Sequence, residues 1–340
     1  MEQGNEELGM RNGESKRKYK TSLIFYFLFF ILSACCSKNH GPNHIRVVLD
    51  WTPNTNHTGL YVALEKGWFA KEGLTVEIIQ PPEDGALALL GSGSVQFGFD
   101  FQETMGPAIA KEFDSMPVKA VAAIICHNSS GIMALKESGI CGPRDLMGKR
   151  FASWETPLVT TLVKELVEKD GGDFSKVKMV PNFATDALSA LQTDIDAIWV
   201  YYARDGIAAQ VNGINVNFID IGFIDPCFDF YTPVLAVNTD WLNKNPQTAK
   251  TFVHTLGKGY LYAVENHEQA GEILLKHAPE LDRKLVMESQ KFLASRYCGY
   301  TSRWGEIDGI RWEKFYRWMY EKGLLEKDIG QDGFTNELLP

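Results

Sequence analysis

Ile45-Arg46-Val47-Val48-Leu49, then Asp50-Trp51-Thr52-Pro53-Asn54-Thr55-Asn56-His57-Thr58, then Gly59-Leu60-Tyr61-Val62-Ala63-Leu64-Glu65-Lys66 sets the pattern of the chain. A short apolar run leads into a polar loop, and the loop leads into a helical pattern. That is a strand-loop-helix unit, and it recurs. Outward from it, further strands are expected at Leu74–Ile79, Val95–Phe99, Val118–Ile125 and Ile132–Leu135, with helices at Gly85–Leu90 and Gln102–Lys111. A second set follows. Strands are expected at Arg150–Ser153, Val177–Val180, Ile195–Val200 and Val216–Ile219, and helices at Pro157–Lys169, Ala184–Gln192 and Ala203–Asn212. After a strand at Pro233–Val237 the pattern turns helical as far as Leu325.

Alternation of this kind predicts an α/β fold with two lobes, the chain passing from the first to the second and back. Punctuation by Gly139, Gly142 and Pro143 places one crossing at Glu137–Asp145, and Pro226–Pro233 supplies the other. Lobe one is then 45–137 with 233–340, and lobe two is 138–232. Two crossovers leave a cleft between the lobes, and ligands of open α/β sheets sit beyond the carboxyl ends of the strands.

The 340 residues are 45% hydrophobic and 23% charged, which is globular composition. With 34 Lys plus Arg against 43 Asp plus Glu the net charge is −9, and the region beyond residue 20 has no basic stripe. Nucleic acid is thereby disfavoured as a partner. Six cysteines are too few for a disulfide scaffold; a Cys126–Cys141 pair is open to the chain but not readable from spacing.

Arg11, Lys16, Arg17, Lys18 and Lys20 precede the apolar run Leu23 to Leu32, followed by Ser33, Ala34 and Cys35. The run is too short to span a bilayer and reads as a signal peptide over residues 1–34, with Met1 or Met10 as the start. Leu32-Ser33-Ala34-Cys35 resembles the lipobox of bacterial lipoproteins. That likeness implies a lipidated Cys35, a linker over 35–44, and an exported, membrane-anchored lipoprotein. The alternatives are a plain secretory signal or a short membrane anchor, with Cys35 and Cys36 incidental.

Candidate site residues lie in the loops after strands. Trp51 offers an indole face, and Asn54 offers donors and acceptors. His57 shares that loop. Asp100 closes the third strand and either caps the next helix or meets a ligand. Trp154 closes the first strand of lobe two, where Thr156 and Pro157 start a helix; Glu155 lies beside it at the rim. Trp199-Val200-Tyr201-Tyr202-Ala203-Arg204-Asp205-Gly206 is the sharpest constellation. Aromatic faces from Tyr201 and Tyr202 and a carboxylate from Asp205 suit a flat, nitrogen-bearing ring, although Asp205 can instead pair with Arg204. Signatures of hydrolases, nucleotide-binding loops and zinc peptidases are absent, and the reading calls for neither cofactor nor metal.

The run Asp50 to Ala63 resembles the opening motif of the ThiY-like thiamin pyrimidine precursor-binding proteins, solute receptors of ABC importers. Gly67-Trp68-Phe69-Ala70-Lys71-Glu72-Gly73-Leu74 resembles the family segment before strand two. Trp304-Gly305, Trp312 and Trp318 resemble its C-terminal tryptophan pattern. The resemblance implies a type II periplasmic-binding-protein fold, a monomer that is not an enzyme, capture of formylaminopyrimidine or hydroxymethylpyrimidine, and a permease partner. It places Trp51 and Asn54 at the ligand and puts Asp205 where the family has a Glu. Wider relatives bind sulfonates, nitrate or riboflavin. Fungal pyrimidine synthases also resemble the chain, His57 included; their mechanism implies a Cys-rich iron motif and a consumed histidine.

Overall fold

β1 (His44–Val48) is flanked on both edges, and Ile45, Val47 and Val48 are wholly buried, which is why it reads as a nearly continuous apolar run. Around it the computed structural model describes residue 41 and residues 43–340, apart from 84, 112, 114, 155, 182–185 and 298–302. The expected signal peptide, Cys35, Glu155 and Cys298 lie outside the described residues. Among these, no helix is long and apolar enough to cross a membrane.

The remaining strands are β2 (Thr75–Ile79), β3 (Phe97–Asp100), β4 (Val118–Ala123), β5 (Ser130–Leu135), β6 (Arg150–Ser153), β7 (Lys178–Pro181), β8 (Ala197–Tyr201), β9 (Val216–Asp220) and β10 (Val234–Asn238). They form two five-stranded sheets, ordered β2-β1-β3-β10-β4 and β7-β6-β8-β5-β9. All ten expected strands are present. Each sheet is parallel except for one strand: β10 runs antiparallel to β3 and β4, and β5 runs antiparallel to β8 and β9. These are the two strands that arrive from the other sheet.

That arrangement determines where the cleft lies. The first crossing leaves the carboxyl end of β4 and enters β5 at Ser130, which pairs with Tyr201 at the carboxyl end of β8. The second leaves the carboxyl end of β9 and enters β10 at Val234, paired with Asp100 at the carboxyl end of β3. Both crossings therefore join carboxyl end to carboxyl end, so the loops that follow the parallel strands of both sheets meet in one region, where α/β folds bind ligands. Asn128 on the first crossing stitches it to the second, its N–H donating to Asp229 Oδ1 (2.8 Å) and its Nδ2 to Phe228 O (2.8 Å).

Pairing corrects one boundary. β5, expected in the first lobe, belongs to the second sheet, so the first crossing occupies 124–129 and not Glu137–Asp145. Gly139, with a positive φ of 72°, and Pro143 punctuate a turn within the second lobe. The true crossing hides its break because Ile124 and Ile125 are buried as deeply as the strand before them.

The loop after β1 is held from outside by the C-terminal helices. Helix Thr58–Glu65 crosses helix Pro246–Glu265 so closely that a Cβ on Gly259 would lie 2.0 Å from the Gly59 carbonyl oxygen. Tyr260 donates its hydroxyl to Asn56 O (2.5 Å) and Tyr297 to Thr55 O (2.6 Å), both tyrosines being fully buried. Trp304 stacks on Tyr260 at 5.1 Å and lies across Gly257. The C-terminal tryptophans are thus scaffold for the first loop. Cys126 and Cys141 are not bridged: the former donates to Tyr297 O from the core, and the latter is exposed beside Asn217.

Candidate functional site

Three carboxyl-end loops build the site. From β1 comes the loop with Trp51, which is 57% exposed. From β3 comes Phe101, and from β8 comes Tyr201, at the end of the other sheet. The rings of Phe101 and Tyr201 face one another across the two sheets, 6.2 Å apart and nearly parallel at 19°. Trp154, 49% exposed, stands 6.4 Å from the Tyr201 ring. Large side chains are normally covered, so two half-exposed indoles, one beside the cross-lobe aromatic pair and one on the loop after β1, are unusual at the carboxyl ends of the two sheets.

Beneath these rings lie carboxyl groups. Glu103, in the first turn of helix Gln102–Ile109, accepts from the Thr232 hydroxyl at 3.5 Å through Oε1. Its Oε2 is buried and has no hydrogen-bond partner among the described residues. Burial chiefly pushes the Glu103 carboxyl up to about 8, Asp100 adding repulsion, and the bonds from its own backbone, Thr232 and Tyr201 offset this in part. Asp100 itself is pushed up to about 6, again mainly by burial and secondarily by the charge of Asp50; contacts from Thr104 and the Phe101 N–H pull the other way. The Tyr201 hydroxyl is driven far above its ordinary range by burial and by Glu103.

A stability prediction follows. Both carboxyls hold their protons more tightly folded than unfolded, so the folded chain binds more protons between about pH 5 and 8, and stability falls as pH rises through that window. The thermal midpoint of the ligand-free protein is expected to drop from pH 5 to 8, and Glu103→Gln to flatten the drop. An equally steep profile in the variant, measured by calorimetry, would contradict the assignment.

Other expected site residues do different work. Asn54 is spent within its own loop, accepting from the Asn56 N–H at 2.8 Å and donating to Thr52 O at 3.0 Å. His57 is fully buried. Its Nδ1 accepts from the Asn54 N–H at 3.2 Å, so Nε2 carries the hydrogen that binds Asp50 Oδ1 at 2.5 Å. This corrects the expectation of a ligand-facing imidazole: His57 braces the loop with Asp50, edge-on to Phe99 at 4.9 Å. Thr58 opens the following helix, its hydroxyl bonding back to Thr55 O. Asp100 organises the start of helix Gln102–Ile109 through the Phe101 N–H (2.7 Å) and the Thr104 hydroxyl.

Two residues of the β8 turn are engaged within the protein. Tyr202 packs its ring against Phe218 (4.8 Å) and Phe292 (5.0 Å). Asp205 is buried, and its oxygens are taken by Arg204 Nε (3.0 Å), Arg204 Nη2 (3.2 Å) and the Tyr201 N–H (3.3 Å). The acid expected to meet a ligand is thus bonded to the neighbouring guanidinium and to the backbone of Tyr201. Thr156, in contrast, caps helix Pro157–Lys169 as expected, accepting from Val159 N at 3.2 Å. Phe101 and Glu103 are not among the residues expected at the site. A buried oxygen without a partner among the described residues, as at Glu103, leaves no trace in sequence.

A family model described as NMT1/THI5 like matches residues 54–270. A formylaminopyrimidine-binding protein of Halalkalibacterium halodurans is 28% identical over 331 residues, covering 93% of this chain and 97% of its own. A 4-amino-5-hydroxymethyl-2-methylpyrimidine phosphate synthase of Legionella pneumophila is 23% identical over 320 residues, covering 88% and 93%. Among solved structures, the periplasmic aliphatic sulphonate binding protein SsuA of Escherichia coli superposes with a TM-score of 0.68 at 16% identity, over 86% of this chain and 96% of that one. At that identity the likeness speaks to fold, and it is the two-lobed type II periplasmic-binding fold. Because this match spans well over half of the chain, from the β1 loop through both sheets into the C-terminal helices, the chain belongs to the NMT1/THI5-like family.

Proposed function

We propose that this chain is the extracytoplasmic substrate-binding protein of an ABC importer and captures a thiamin pyrimidine precursor, formylaminopyrimidine or hydroxymethylpyrimidine, in the cleft between its lobes. The observation that carries the reading is the cross-lobe ring pair Phe101 and Tyr201 at 6.2 Å, with the half-exposed indole of Trp154 beside it and that of Trp51 on the loop after β1. A planar ring seated there contacts both lobes, so binding and lobe closure are one equilibrium. Similarity to a formylaminopyrimidine-binding protein over 93% of the chain supports the ligand class. Export and an anchor at Cys35 fit the N-terminal pattern, and the ligand would then pass to a permease.

Native mass spectrometry of the purified protein with 4-amino-5-hydroxymethyl-2-methylpyrimidine is expected to show one bound ligand. Trp51→Ala is expected to weaken binding by about 1 kcal/mol, the scale of one aromatic stack. Riboflavin bound in preference to the pyrimidine would redirect the reading.

A second reading, a pyrimidine-forming synthase, is favoured by the relative named as one. Against it stands the engagement of both His57 nitrogens inside the lobe, at Asp50 and Asn54. Intact mass after incubation with iron and oxygen separates the two: an unaltered His57 supports the receptor, and a modified one supports the enzyme.

A further inference from the structure

We propose that Glu103 presents its carboxyl group as a paired donor and acceptor to the amidine-like edge of the bound heterocycle, a ring nitrogen beside an exocyclic amine. This rests on the receptor reading and names the group that selects the ligand within it. Three observations carry it. First, Glu103 Oε2 is a buried polar atom with no partner, whereas Oε1 is bonded to Thr232. A buried oxygen left bare costs free energy, and a ligand group that reaches it recovers that cost. Second, Glu103 lies two residues past Phe101 at the carboxyl end of the first sheet. Thr232 stands on the second crossing and Tyr201 at the end of the other sheet, so the carboxyl sits where the lobes meet, beside the ring pair. Third, the other acids are committed. Asp50 is bonded to His57, Asp100 to the Phe101 N–H and the Thr104 hydroxyl, and Asp205 to Arg204 and the Tyr201 N–H.

The surroundings determine the protonation state that can do this. Facing Glu103 are Asp100, the Thr232 hydroxyl, and the tyrosines Tyr201 and Tyr316, whose hydroxyls it influences in turn; none carries a positive charge. Burial holds its proton to about pH 8. A neutral carboxyl has one O–H donor and a carbonyl acceptor, which matches a ring nitrogen and an adjacent N–H; a carboxylate only accepts. The glutamine amide has the same two-point pattern and does not titrate.

The test is isothermal titration of wild type, Glu103→Gln and Glu103→Ala with 4-amino-5-hydroxymethyl-2-methylpyrimidine and with the same ring lacking the 4-amino group, at pH 6.5 and pH 9.5. Thermal melts of the ligand-free proteins serve as the folding control. Wild type is expected to prefer the amino compound at least tenfold at pH 6.5 and to bind it at least tenfold more weakly at pH 9.5. Glu103→Gln is expected to keep that preference and lose the pH dependence. Glu103→Ala is expected to reduce the preference below about threefold. A wild type that discriminates, with a folded Glu103→Ala that discriminates equally, overturns this assignment and leaves the receptor reading intact. So does a Glu103→Gln whose affinity falls with pH as the wild type's does. A wild type that binds neither pyrimidine overturns the receptor reading and this assignment together.

Discussion

Tyr201→Ala is expected to weaken capture of a pyrimidine by about 2–3 kcal/mol. A stacked aromatic contact contributes ~0.5–1.5 kcal/mol beyond area burial, and covering the ring face itself removes apolar surface from water at roughly 25 cal/mol per Å². Both are lost together, because Tyr201 forms one wall of the cross-lobe pair and also spaces Trp154 from Phe101. Tyr201→Phe separates the ring from its hydroxyl, and its expected cost is about 1 kcal/mol, that of one ordinary hydrogen bond. The neighbouring Tyr202 is the control. Its ring is committed to Phe218 and Phe292, so Tyr202→Ala is expected to lower the thermal midpoint while leaving the ring preference of the site in place. Titration calorimetry with matched melts checks all three; a Tyr201→Ala protein with wild-type affinity would remove the aromatic pair from the site.

Trp304→Ala is expected to lower the unfolding free energy by about 3–5 kcal/mol, the range for emptying a large aromatic from a core. Trp304 is 1% exposed, lies across Gly257 and stacks on Tyr260 at 14° between planes. Its loss reaches the site at one remove, since the Tyr260 hydroxyl holds Asn56 O, and Asn56 lies in the turn that braces the Trp51 loop. Weaker ligand binding should therefore accompany the lost stability. Trp304→Phe keeps a stacked ring and sheds an indole N–H that has no hydrogen-bond partner, so its cost is expected to stay below about 1.5 kcal/mol. Denaturant unfolding followed by far-UV circular dichroism checks the pair. Equal stability of wild type and Trp304→Ala would contradict the role given to this tryptophan.

These effects show which parts of the molecule can be read from residues alone. Strands and helices were legible because apolar period and cap chemistry agree locally, as at Thr156-Pro157, where a side-chain cap and a first-turn proline mark the helix start. The first crossing was not. Ile124 and Ile125 continue the apolar run of β4, and the Gly and Pro residues at 139–143 give a stronger break that belongs to a turn inside the second lobe. Tyr201 is expected at the site because an aromatic at a strand's carboxyl end has a defined place in an α/β fold, and the structure sets its ring opposite Phe101. Tyr202 could not be separated from it, since the turn that follows is wound as a π-helix over Tyr202–Gly206 and sends the second ring toward Phe292 instead of the cleft.

The carboxylates show the same division in electrostatic terms. Asp205 had the expected chemistry, but Arg204 at the next position closes a two-point bond on it, a geometry that adjacency in sequence allows without requiring. Glu103 had the ordinary look of a first-turn helix acid. Its distinction is tertiary: Thr232 takes one oxygen, Tyr201 covers it from the other sheet, and the second oxygen is left bare. His57 inverts the lesson, since a histidine in a polar loop after a strand reads as exposed, yet a backbone N–H and an aspartate draw it wholly inside.

A flat nitrogen heterocycle is expected to sit where the carboxyl ends of the two sheets meet. A crystal structure of the protein grown with 4-amino-5-hydroxymethyl-2-methylpyrimidine tests it directly. The expected result is the pyrimidine ring in stacking contact with Tyr201 from one lobe and against Phe101 from the other, its amino edge on Glu103. A ring bound elsewhere, or touching one lobe alone with Glu103 left uncontacted, would contradict it.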